Sequence, residues 1–301
     1  MHLEQKTIRR LVRRQFPELP CGVVEKLGEG MDCSAWLIDG RSVFRFPKRE
    51  TGAECLQNEI RVLPHIAPRL PVPVSAPRWI GVPTSEYAWP FAGYELIAGR
   101  AVCDACIPDS AASKFARSLA GFLRALHSIS VEEAHEFEAP IDKWQRLDVA
   151  YRCDFARERL KHAETRGLIP NASAWQSQLE AIEAASPVAE LQALVHGDLY
   201  SKHVLIDDDF QLTGMIDWGD VHIGHPAVDL AAFWNTVPAA GRNAFLEEYG
   251  PIDEATWQLA QLRVIYHSIA TLLFAIEIDD QALASHCRLA LQAVLSESRS
   301  G

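Results

Sequence analysis

Two aspartates, Asp198 and Asp217, flank a predicted β-hairpin. Each follows a short apolar run, 193–195 for the first and 215–216 for the second, so each carboxylate stands where a predicted strand ends. The segment between them has an apolar strand, a turn of acids at 207–209 and a second apolar strand. Because a hairpin returns the chain to the edge from which it started, we expect both carboxylates at one edge of a cleft.

The amino-acid sequence around these two aspartates indicates phosphoryl transfer. It reads His196-Gly197-Asp198-Leu199 and continues to His203 and Asp217, where protein kinases have H-R-D-L-x-x-x-N followed by D-F-G. In phosphoryl transfer a carboxylate orients the acceptor hydroxyl or accepts its proton, and a hard cation with oxygen ligands neutralises the phosphates. We therefore predict that Asp198 is the catalytic residue and that Asp217 binds Mg²⁺.

Other polar residues near these aspartates have predicted supporting roles. His203 stands at the position of the kinase asparagine, and imidazole is a poorer Mg²⁺ ligand than oxygen. Two roles stay open for it: direct coordination, or a hydrogen bond to a metal-bound water or to Asp198. His196 is expected to brace the loop, and Asp229 is expected to accept hydrogen bonds from the loop backbone. Asp220 is either a turn acid or a substrate contact.

A glycine-rich segment, Gly28-Glu29-Gly30-Met31-Asp32-Cys33-Ser34, joins two predicted strands. The backbone N–H groups of such a loop can cover nucleotide phosphates. The alternative is an ordinary hairpin, because the third glycine of the kinase loop is replaced by Cys33. The order of strand, helix and catalytic loop favours the phosphate loop, so we predict that Gly28, Gly30 and Ser34 bind nucleotide.

Arg45 lies in the third predicted strand, at the position of the kinase lysine. A cation there would hold nucleotide phosphates and pair with an acid of the next helix, and Glu59 is placed for that pairing. Arginine offers a fork of donors and is not equivalent to lysine. The alternative is that Arg45 is an exposed strand residue and that Lys48 binds the phosphates.

The remaining pattern predicts a two-lobed α+β protein. Alternating apolar residues predict strands at 22–27, 35–38, 42–46, 77–81 and 87–97, with a hairpin turn at Asp39-Gly40. Helical spacing predicts helices over 4–16, 53–63, 110–128, 144–165, 173–185, 226–234, 243–249, 254–276 and 281–297, and a proline-rich connector covers 64–77. We predict a protein-kinase-like fold. Residues 1–97 form a nucleotide-binding N-lobe with a small antiparallel sheet, and residues 98–301 form a helical C-lobe with the catalytic loop and acceptor cleft.

Composition narrows the partners. The chain has 301 residues, with 29 Lys+Arg against 40 Asp+Glu and a net charge of −11. No basic block offsets the repulsion from phosphates, so we predict no nucleic-acid partner, whereas a cationic substrate is compatible with this charge. The 7 Cys residues are scattered and indicate free thiols in a reducing cytosol. Without a signal-peptide pattern or an apolar run of membrane length, we predict a cytoplasmic monomer that does not bind membranes.

Together, these residues resemble the aminoglycoside phosphotransferase family, small-molecule kinases with a protein-kinase-like fold. The resemblance covers nearly the whole chain and lies in 28–33, 44–48, 58–60, 91–94, 123–129, 196–207 and 216–229. The N-lobe is most similar to enzymes that phosphorylate the 2″-hydroxyl of kanamycin- and gentamicin-type drugs. That similarity implies that Glu95, Leu96 and Ile97 form an interlobe hinge facing the purine. It also implies that Tyr94 guards the back of the pocket, where a bulky residue goes with GTP use, so the donor is GTP or ATP with GTP favoured.

For the acceptor, the resemblance implies an aminoglycoside antibiotic and a role in resistance. The 2″ enzymes have lysine at the position of Arg45 and carboxylates in the stretch that corresponds to 230–238, which has no acids here. An acidic binding face would then come from Asp220, Glu247, Glu248, Glu277, Asp279 or Asp280. The alternatives are a macrolide 2′-phosphotransferase, whose catalytic loop and strand arginine are similar, a kinase of a small metabolic alcohol, and an inactive nucleotide-binding scaffold.

Overall fold

The structure, a computed structural model, describes residues 3–297. The strands of the N-lobe are β1 Val24–Glu29, β2 Cys33–Ile38, β3 Ser42–Pro47, β4 Trp79–Gly81 and β5 Phe91–Glu95. They form one antiparallel sheet in the order β1-β2-β3-β5-β4, accompanied by helices α1 Gln5–Gln15 and α2 Glu50–Ile66. The predicted turn at Asp39-Gly40 is confirmed, since both residues have the positive φ, 48° and 65°, of a tight two-residue hairpin.

The two faces of this sheet carry different residues because side chains alternate along a strand. Phe44 and Phe46 are fully buried in one cluster with the apolar side of α1. Arg45, between them in sequence, lies on the other face together with Tyr94, and both contact Glu59 of α2. One face therefore builds the core of the lobe, and the other presents polar groups toward the cleft.

Helix α2 is longer than the predicted helix over 53–63. It begins at Glu50, whose negative charge suits the N-terminal end of a helix, and it continues past Pro64 to Ile66. A proline inside a helix costs about 3 kcal/mol because it removes a hydrogen bond and crowds the preceding turn. Leu63 and Ile66 are both fully buried in the C-lobe core, and this burial offsets the cost.

The C-lobe is mostly helical, as predicted. Its helices are α3 Asp109–His127, α4 Val131–Glu136, α5 Val149–Thr165, α6 Ser173–Ala185, α7 Ala227–Leu230, α8 Ala232–Asn235, α9 Arg242–Tyr249, α10 Glu254–Glu277 and α11 Gln281–Glu297. The predicted helix over 144–165 starts only at Val149, because Asp148 caps it by accepting a hydrogen bond from the amide of Tyr151 at 2.9 Å. The segment predicted as one helix over 226–234 forms the two short helices α7 and α8, and α4 was not predicted.

Two small sheets in the C-lobe position the site. β6 Arg100–Ala101 pairs with β8 Val204–Ile206, which pairs with β9 Leu212–Met215, and β7 Ala193–Val195 pairs with β10 His222–Gly224. β8 and β9 are the arms of the hairpin predicted between the two aspartates. Immediately beyond these arms, the amide of Ile216 donates to the carbonyl oxygen of His203 at 3.0 Å, so the chain does return to its starting edge.

Helix α10 forms much of the C-lobe core. By length and composition alone it could cross a membrane, but 67% of its most apolar window is buried inside the protein, and a core helix of a soluble protein passes the same test. It packs against α5, α6, α7 and α11. Two of its charged or titratable side chains, Arg263 and His267, reach the catalytic loop.

Candidate active site

The predicted catalytic loop begins at His196, immediately after β7, and is fixed through its backbone. Asp229, buried in α7, accepts hydrogen bonds from the amides of His196 (2.7 Å) and Gly197 (3.0 Å), which confirms the predicted contact. Gly197 has φ +85°, and a Cβ atom there would lie 2.2 Å from a backbone carbonyl oxygen, so only glycine fits. The ring of His196 braces the loop as predicted, with Nε2 3.0 Å from the carbonyl oxygen of Ile216. The next residue, Asp198, is therefore presented in a fixed orientation.

Asp198 is held by two residues of α10 that no sequence motif indicated. Its Oδ1 lies 2.9 Å from Nε2 of His267 and 3.3 Å from Nη2 of Arg263. Its Oδ2 accepts no hydrogen bond from residues 3–296, and Nδ1 of His203 lies 3.8 Å away. One carboxylate oxygen is thus fixed, and the other can accept a hydrogen bond from a bound hydroxyl.

The protonation states around Asp198 follow from these contacts. Burial would raise the pKa of Asp198, but the hydrogen bond from His267 and the charges of His267, His203 and Arg263 hold that pKa well below its ordinary value. Burial, and then the charge of Arg263, lower the pKa of His267. At neutral pH the aspartate is ionised, and His267 donates its Nε2–H to it.

The spacing of Arg263 and His267 is a sequence feature that indicates a buried polar contact. The two residues are four positions apart, which places them on one face of a helix. They interrupt an otherwise apolar stretch of α10. A polar pair on one face of an apolar core helix requires a polar partner inside the protein, although the sequence alone does not name that partner.

Asp217 and His203 lie beside Asp198, as the hairpin prediction requires. Nε2 of His203 is 3.5 Å from Oδ2 of Asp217, and Nδ1 of His203 is 2.8 Å from the carbonyl oxygen of Asp198. Because a carbonyl oxygen only accepts, Nδ1 carries the hydrogen, and Nε2 is the ring nitrogen that faces Asp217. The backbone of Asp217 has φ +62°, a conformation that Asp and Asn adopt more readily than most residues.

This donor set fits Mg²⁺ that takes most of its ligands from elsewhere. Mg²⁺ usually keeps several waters and is bound through one or two carboxylates and substrate phosphates. Asp217 supplies such a carboxylate. Within residues 3–297 no group of three or more His, Cys, Asp or Glu side chains forms a metal site by itself. The nitrogen of His203 is a weaker match for Mg²⁺, so its two predicted roles stay open.

Arg45 connects the N-lobe to this centre. Its Nη1 lies 2.5 Å from Oε1 of Glu59, which confirms the predicted pairing, and its Nη2 lies 2.7 Å from Oδ1 of Asp217. Tyr94 donates its hydroxyl to Oε2 of Glu59 at 2.5 Å. Burial raises the pKa of Glu59, and the charge of Arg45 opposes that rise. Arg45 therefore holds the buried Glu59 and Asp217, the predicted metal ligand, at the same time.

The glycine-rich loop between β1 and β2 is closed by the amide of Gly30, which donates to the carbonyl oxygen of Cys33 at 2.9 Å. A Cβ atom on Gly28 would meet nothing within 4 Å, so the space above Gly28 is open. Ser34 is buried, and its Oγ accepts a hydrogen bond from Nε1 of Trp36 at 3.1 Å. The binding of nucleotide by Gly28, Gly30 and Ser34 stays a prediction.

Lys48, the alternative phosphate ligand, is engaged at this loop. Its Nζ lies 2.8 Å from Oε1 of Glu29 and also donates to the carbonyl oxygen of Gly30. Arg45 instead reaches Asp217 across the cleft. The geometry therefore favours Arg45 as the cation beside Asp217, the predicted metal ligand.

The predicted hinge begins where the sheet ends. Glu95 is the last residue of β5, and Leu96 donates its amide to the carbonyl oxygen of Arg41 at 2.8 Å. Ile97 lies against the β8–β9 hairpin, since a Cβ atom on Gly214 would be 2.7 Å from its Cγ2. The segment thus passes from the N-lobe sheet to the β8–β9 hairpin, and its role as a hinge that faces the purine stays a prediction.

A cavity of about 340 Å³ opens beside Asp198. Its charged lining residues come from both lobes and are Asp32, Arg49, Arg146, Arg152, Asp198, Asp220 and Arg263. A second cavity, of about 410 Å³, shares Asp220 and Arg146 with the first and extends to Ile141 and Lys143. These two cavities form the candidate acceptor cleft.

Among the acids suggested for the acceptor, the structure brings Asp220 to this cleft. Asp220 contacts Arg146, and burial together with the charge of Asp198 raises the pKa of Asp220 to about 6. Glu277 is exposed in the last turn of α10, about 15 Å farther along the axis than His267. The structure therefore does not bring Glu277 to the cleft. Glu247, Glu248 and Asp280 pair with Arg117, Arg124 and Lys202, and neither they nor Asp279 line either cavity.

His222 of β10 makes the stability of the fold depend on pH. Its Nδ1 lies 2.7 Å from the carbonyl oxygen of Asp220, and its buried Nε2 has no hydrogen-bond partner within the described chain. Burial, and then the charge of Arg146, lower the pKa of His222 from 6.5 to about 4. The unfolded chain takes up a proton near pH 6.5, whereas the folded protein does so only near pH 4. The free energy of unfolding therefore falls as the pH falls through this window.

Between pH 7 and pH 5, we expect this single group to lower the free energy of unfolding by about 2 kcal/mol. Urea unfolding of the wild-type protein and of His222→Gln at both pH values measures the effect. The variant should lose about 2 kcal/mol less than the wild type over the interval. His162→Gln, at an exposed position of α5, is the matched control and should follow the wild type. Equal pH dependence in His222→Gln and wild type would contradict the assignment.

Comparison with known proteins extends over nearly the whole chain. Residues 23–263 match a family described as phosphotransferase enzyme family. Viomycin phosphotransferase of Streptomyces vinaceus is 30% identical over 129 residues, 42% of this chain and 41% of that protein. The chain spans less than half, 34% and 41%, of the length of the first curated relatives it matches.

Solved structures show the fold. The GDP and kanamycin complex of APH(2″)-IIia has a TM-score of 0.72 at 26% identity, covering 96% of this chain and 98% of that chain. Macrolide 2'-phosphotransferase type I has a TM-score of 0.65 at 23% identity, covering 96% and 98%. The predicted fold class, a kinase-like fold with an antiparallel-sheet N-lobe and a helical C-lobe, is confirmed.

Proposed function

We propose that this chain, which belongs to the phosphotransferase enzyme family, transfers the γ-phosphoryl group of GTP or ATP to a hydroxyl group of a small organic acceptor. The observation that carries the proposal is the geometry of Asp198. Oδ1 is fixed by His267 and Arg263 at 2.9 and 3.3 Å, Oδ2 accepts no hydrogen bond from residues 3–296, and the residue lines the cavity of about 340 Å³ to which both lobes contribute.

In this reaction the acceptor oxygen forms a bond to the γ-phosphorus. The bond from that phosphorus to the β–γ bridging oxygen breaks, and GDP or ADP leaves. Asp198 orients the hydroxyl through Oδ2 and accepts its proton as the new bond forms. Because its pKa is held low, Asp198 is a weak base. Its main contribution is therefore orientation, which suits a loose transition state in which the hydroxyl keeps its proton until late.

Mg²⁺ is the ion that we expect with the nucleotide, where it would neutralise the charge that develops on the phosphates. Asp217 would hold it through Oδ2, the oxygen that Arg45 does not bind. His203 lies next to that oxygen and would either coordinate or fix a bound water. Arg45 orients Asp217 and is the cation placed to steady the phosphates.

The donor is expected to be GTP or ATP, with GTP favoured. Tyr94 lies on the cleft face of the sheet, and its hydroxyl bond to Glu59 fixes the ring there. A bulky residue at this position is the feature that the family resemblance associates with GTP. The structure of APH(2″)-IIia, similar over nearly its whole length, is a GDP complex, which supports the same choice.

For the acceptor, an aminoglycoside antibiotic is proposed first, because the same relative is a kanamycin complex at 26% identity. This would make the chain an antibiotic-resistance kinase in the cytoplasm. A macrolide is the second candidate. The observation that favours a macrolide is exposed apolar surface in the cavity of about 410 Å³. Ile141 is 68% exposed there and Trp144 is 46% exposed.

Mass spectrometry tests the proposal. The enzyme is incubated with Mg²⁺, GTP or ATP, and kanamycin, gentamicin or erythromycin in parallel, and each acceptor is examined for one added phosphoryl group. Phosphorylated kanamycin or gentamicin supports an aminoglycoside acceptor, whereas phosphorylated erythromycin alone supports the macrolide. The panel also includes simple alcohols and hydroxy acids. If none of these acceptors gains a phosphoryl group, the proposed function is wrong.

A further inference from the structure

The acceptor cleft is cationic although the protein is acidic. The cavity beside Asp198 is lined by four arginines and three aspartates, in a chain with a net charge of −11. Each aspartate already has a salt bridge with an arginine of the same cavity: Asp32 with Arg49, Asp198 with Arg263, and Asp220 with Arg146. In the adjoining cavity Glu54 pairs with Lys143. These four carboxylates therefore each have a cationic partner before any acceptor binds.

The fourth arginine, Arg152, has a different environment. It is only 9% exposed and has no ion pair with any carboxylate of residues 3–296. Its Nε donates to the carbonyl oxygen of Gln145 at 2.9 Å and its Nη2 to that of Trp144, while Nη1 donates to no residue that the structure describes. A buried charge without a counter-ion is costly, and arginine stays protonated in proteins. An anion at the cavity wall would remove that cost.

Arg152 and Asp198 belong to one wall of the cavity. The guanidinium carbon of Arg152 lies 4.8 Å from the ring of Tyr266. The hydroxyl of Tyr266 accepts from Nη1 of Arg263 at 2.8 Å, and Arg263 in turn contacts Asp198. A small molecule that reaches Asp198 with a hydroxyl can therefore also reach this wall with a second group.

We propose that the acceptor carries a carboxylate that binds Arg152 while its hydroxyl lies at Asp198. The inference rests on the proposed function and narrows its acceptor to hydroxy acids, in place of the polycationic drugs that the family resemblance implies. A guanidinium presents its N–H donors in a plane that matches a carboxylate. The other account of Arg152 is structural: it holds the turn at Trp144 and Gln145 and makes no contact with substrate.

The test compares matched acceptors. Hydroxy acids of increasing chain length are each assayed beside the corresponding neutral amide and beside kanamycin, with Mg²⁺ and GTP or ATP. For the wild-type enzyme we expect kcat/KM to be about 10- to 100-fold higher for the best hydroxy acid than for its amide, because the amide loses a charge-assisted pair. The difference should lie mainly in KM, since Arg152 does not touch the reacting atoms.

Variants separate binding from folding. Arg152→Met should abolish the preference for acid over amide by lowering kcat/KM for the acid. Arg152→Lys keeps the charge and should restore part of the preference. Arg159→Met removes the same charge from the same helix, at a residue that packs on Phe155 and does not line the cleft. It should behave as the wild type, and thermal melting of each variant reports its folding.

The outcomes distinguish the two proposals. Equal kcat/KM for acid and amide in the wild type, or equal losses for both in Arg152→Met, would overturn the role of Arg152 while phosphate transfer to the amides still supports the kinase. Efficient phosphorylation of kanamycin that improves in Arg152→Met would also overturn it. No transfer to any acid, amide or antibiotic would overturn the proposed function and this inference with it.

Discussion

Asp198→Asn is expected to lower kcat by about 10²–10⁴-fold and to leave the Kd for nucleotide within about twofold of wild type. The amide retains an oxygen that accepts from His267 and Arg263, so the loop geometry is preserved. In place of Oδ2 the variant has an NH₂ group, which neither accepts the hydrogen of the acceptor hydroxyl nor takes its proton. Single-turnover kinetics measure the chemical step, and titration with fluorescent nucleotide measures binding.

Asp209→Asn is the matched control for this substitution. Asp209 is an exposed acid at the tip of the same hairpin, and among the described residues its hydrogen bonds involve only its backbone amide and carbonyl. Removing its charge should leave kcat within about twofold. Retention of more than a tenth of wild-type turnover in Asp198→Asn would remove Asp198 from the reaction.

Asp217→Asn is expected to lower kcat/KM by about 10³-fold and to raise the Mg²⁺ concentration needed for half-maximal activity. A bound metal ion contributes several kcal/mol of charge stabilisation to phosphoryl transfer, and each 1.36 kcal/mol is tenfold in rate. The neutral amide is a weaker ligand for a hard cation than a carboxylate is, and it also loses the ion pair with Arg45. Asparagine is chosen because it tolerates the positive φ of this position.

Activity as a function of MgCl₂ concentration measures this effect. Asp207→Asn serves as the control, since Asp207 lies in the turn between β8 and β9 and its Oδ1 accepts hydrogen bonds from the amides of Asp209 and Gln211 of the same turn. A half-saturating Mg²⁺ concentration that is the same in Asp217→Asn and in wild type would contradict the assignment of Asp217 as the metal ligand.

The sequence patterns predicted those parts of the site that local rules determine. The hairpin that joins Asp198 to Asp217 follows from two apolar runs around a polar turn. The pairing of Arg45 with Glu59 follows from the order of strand and helix within one lobe. The contact of Asp229 with the loop backbone was predicted from the helix start alone, and the structure confirms it at 2.7 and 3.0 Å.

The parts that sequence patterns did not predict depend on long-range packing. Arg263 and His267 follow Asp198 by more than sixty positions, and only the packing of α10 against the loop brings them together. Helix α2 continues past Pro64 because burial in the other lobe outweighs a local rule. Arg152 could be placed on a helix from sequence, but its lack of a carboxylate partner is a property of the folded cleft.

The net charge of the sequence and the structure of the cleft favour different classes of acceptor. The net charge of −11 is compatible with a polycationic drug, yet the acids that line the cleft are paired with arginine or lysine of the chain itself. Net charge describes the long-range field of the whole protein, whereas recognition depends on the groups that remain unpaired at the site. By that criterion Arg152 is more informative than the overall charge.

Transfer of labelled phosphate is the most direct test of the central claim, that the γ-phosphoryl group moves to an acceptor hydroxyl at Asp198. GTP or ATP that carries ¹⁸O in the γ-phosphoryl group is incubated with the enzyme, Mg²⁺ and the best acceptor of the panel, and the acceptor is analysed by mass spectrometry. We predict an acceptor that contains one labelled phosphoryl group with the wild-type enzyme and almost none with Asp198→Asn. Label found only in inorganic phosphate, or equal labelling of the acceptor by enzyme and variant, would contradict the account.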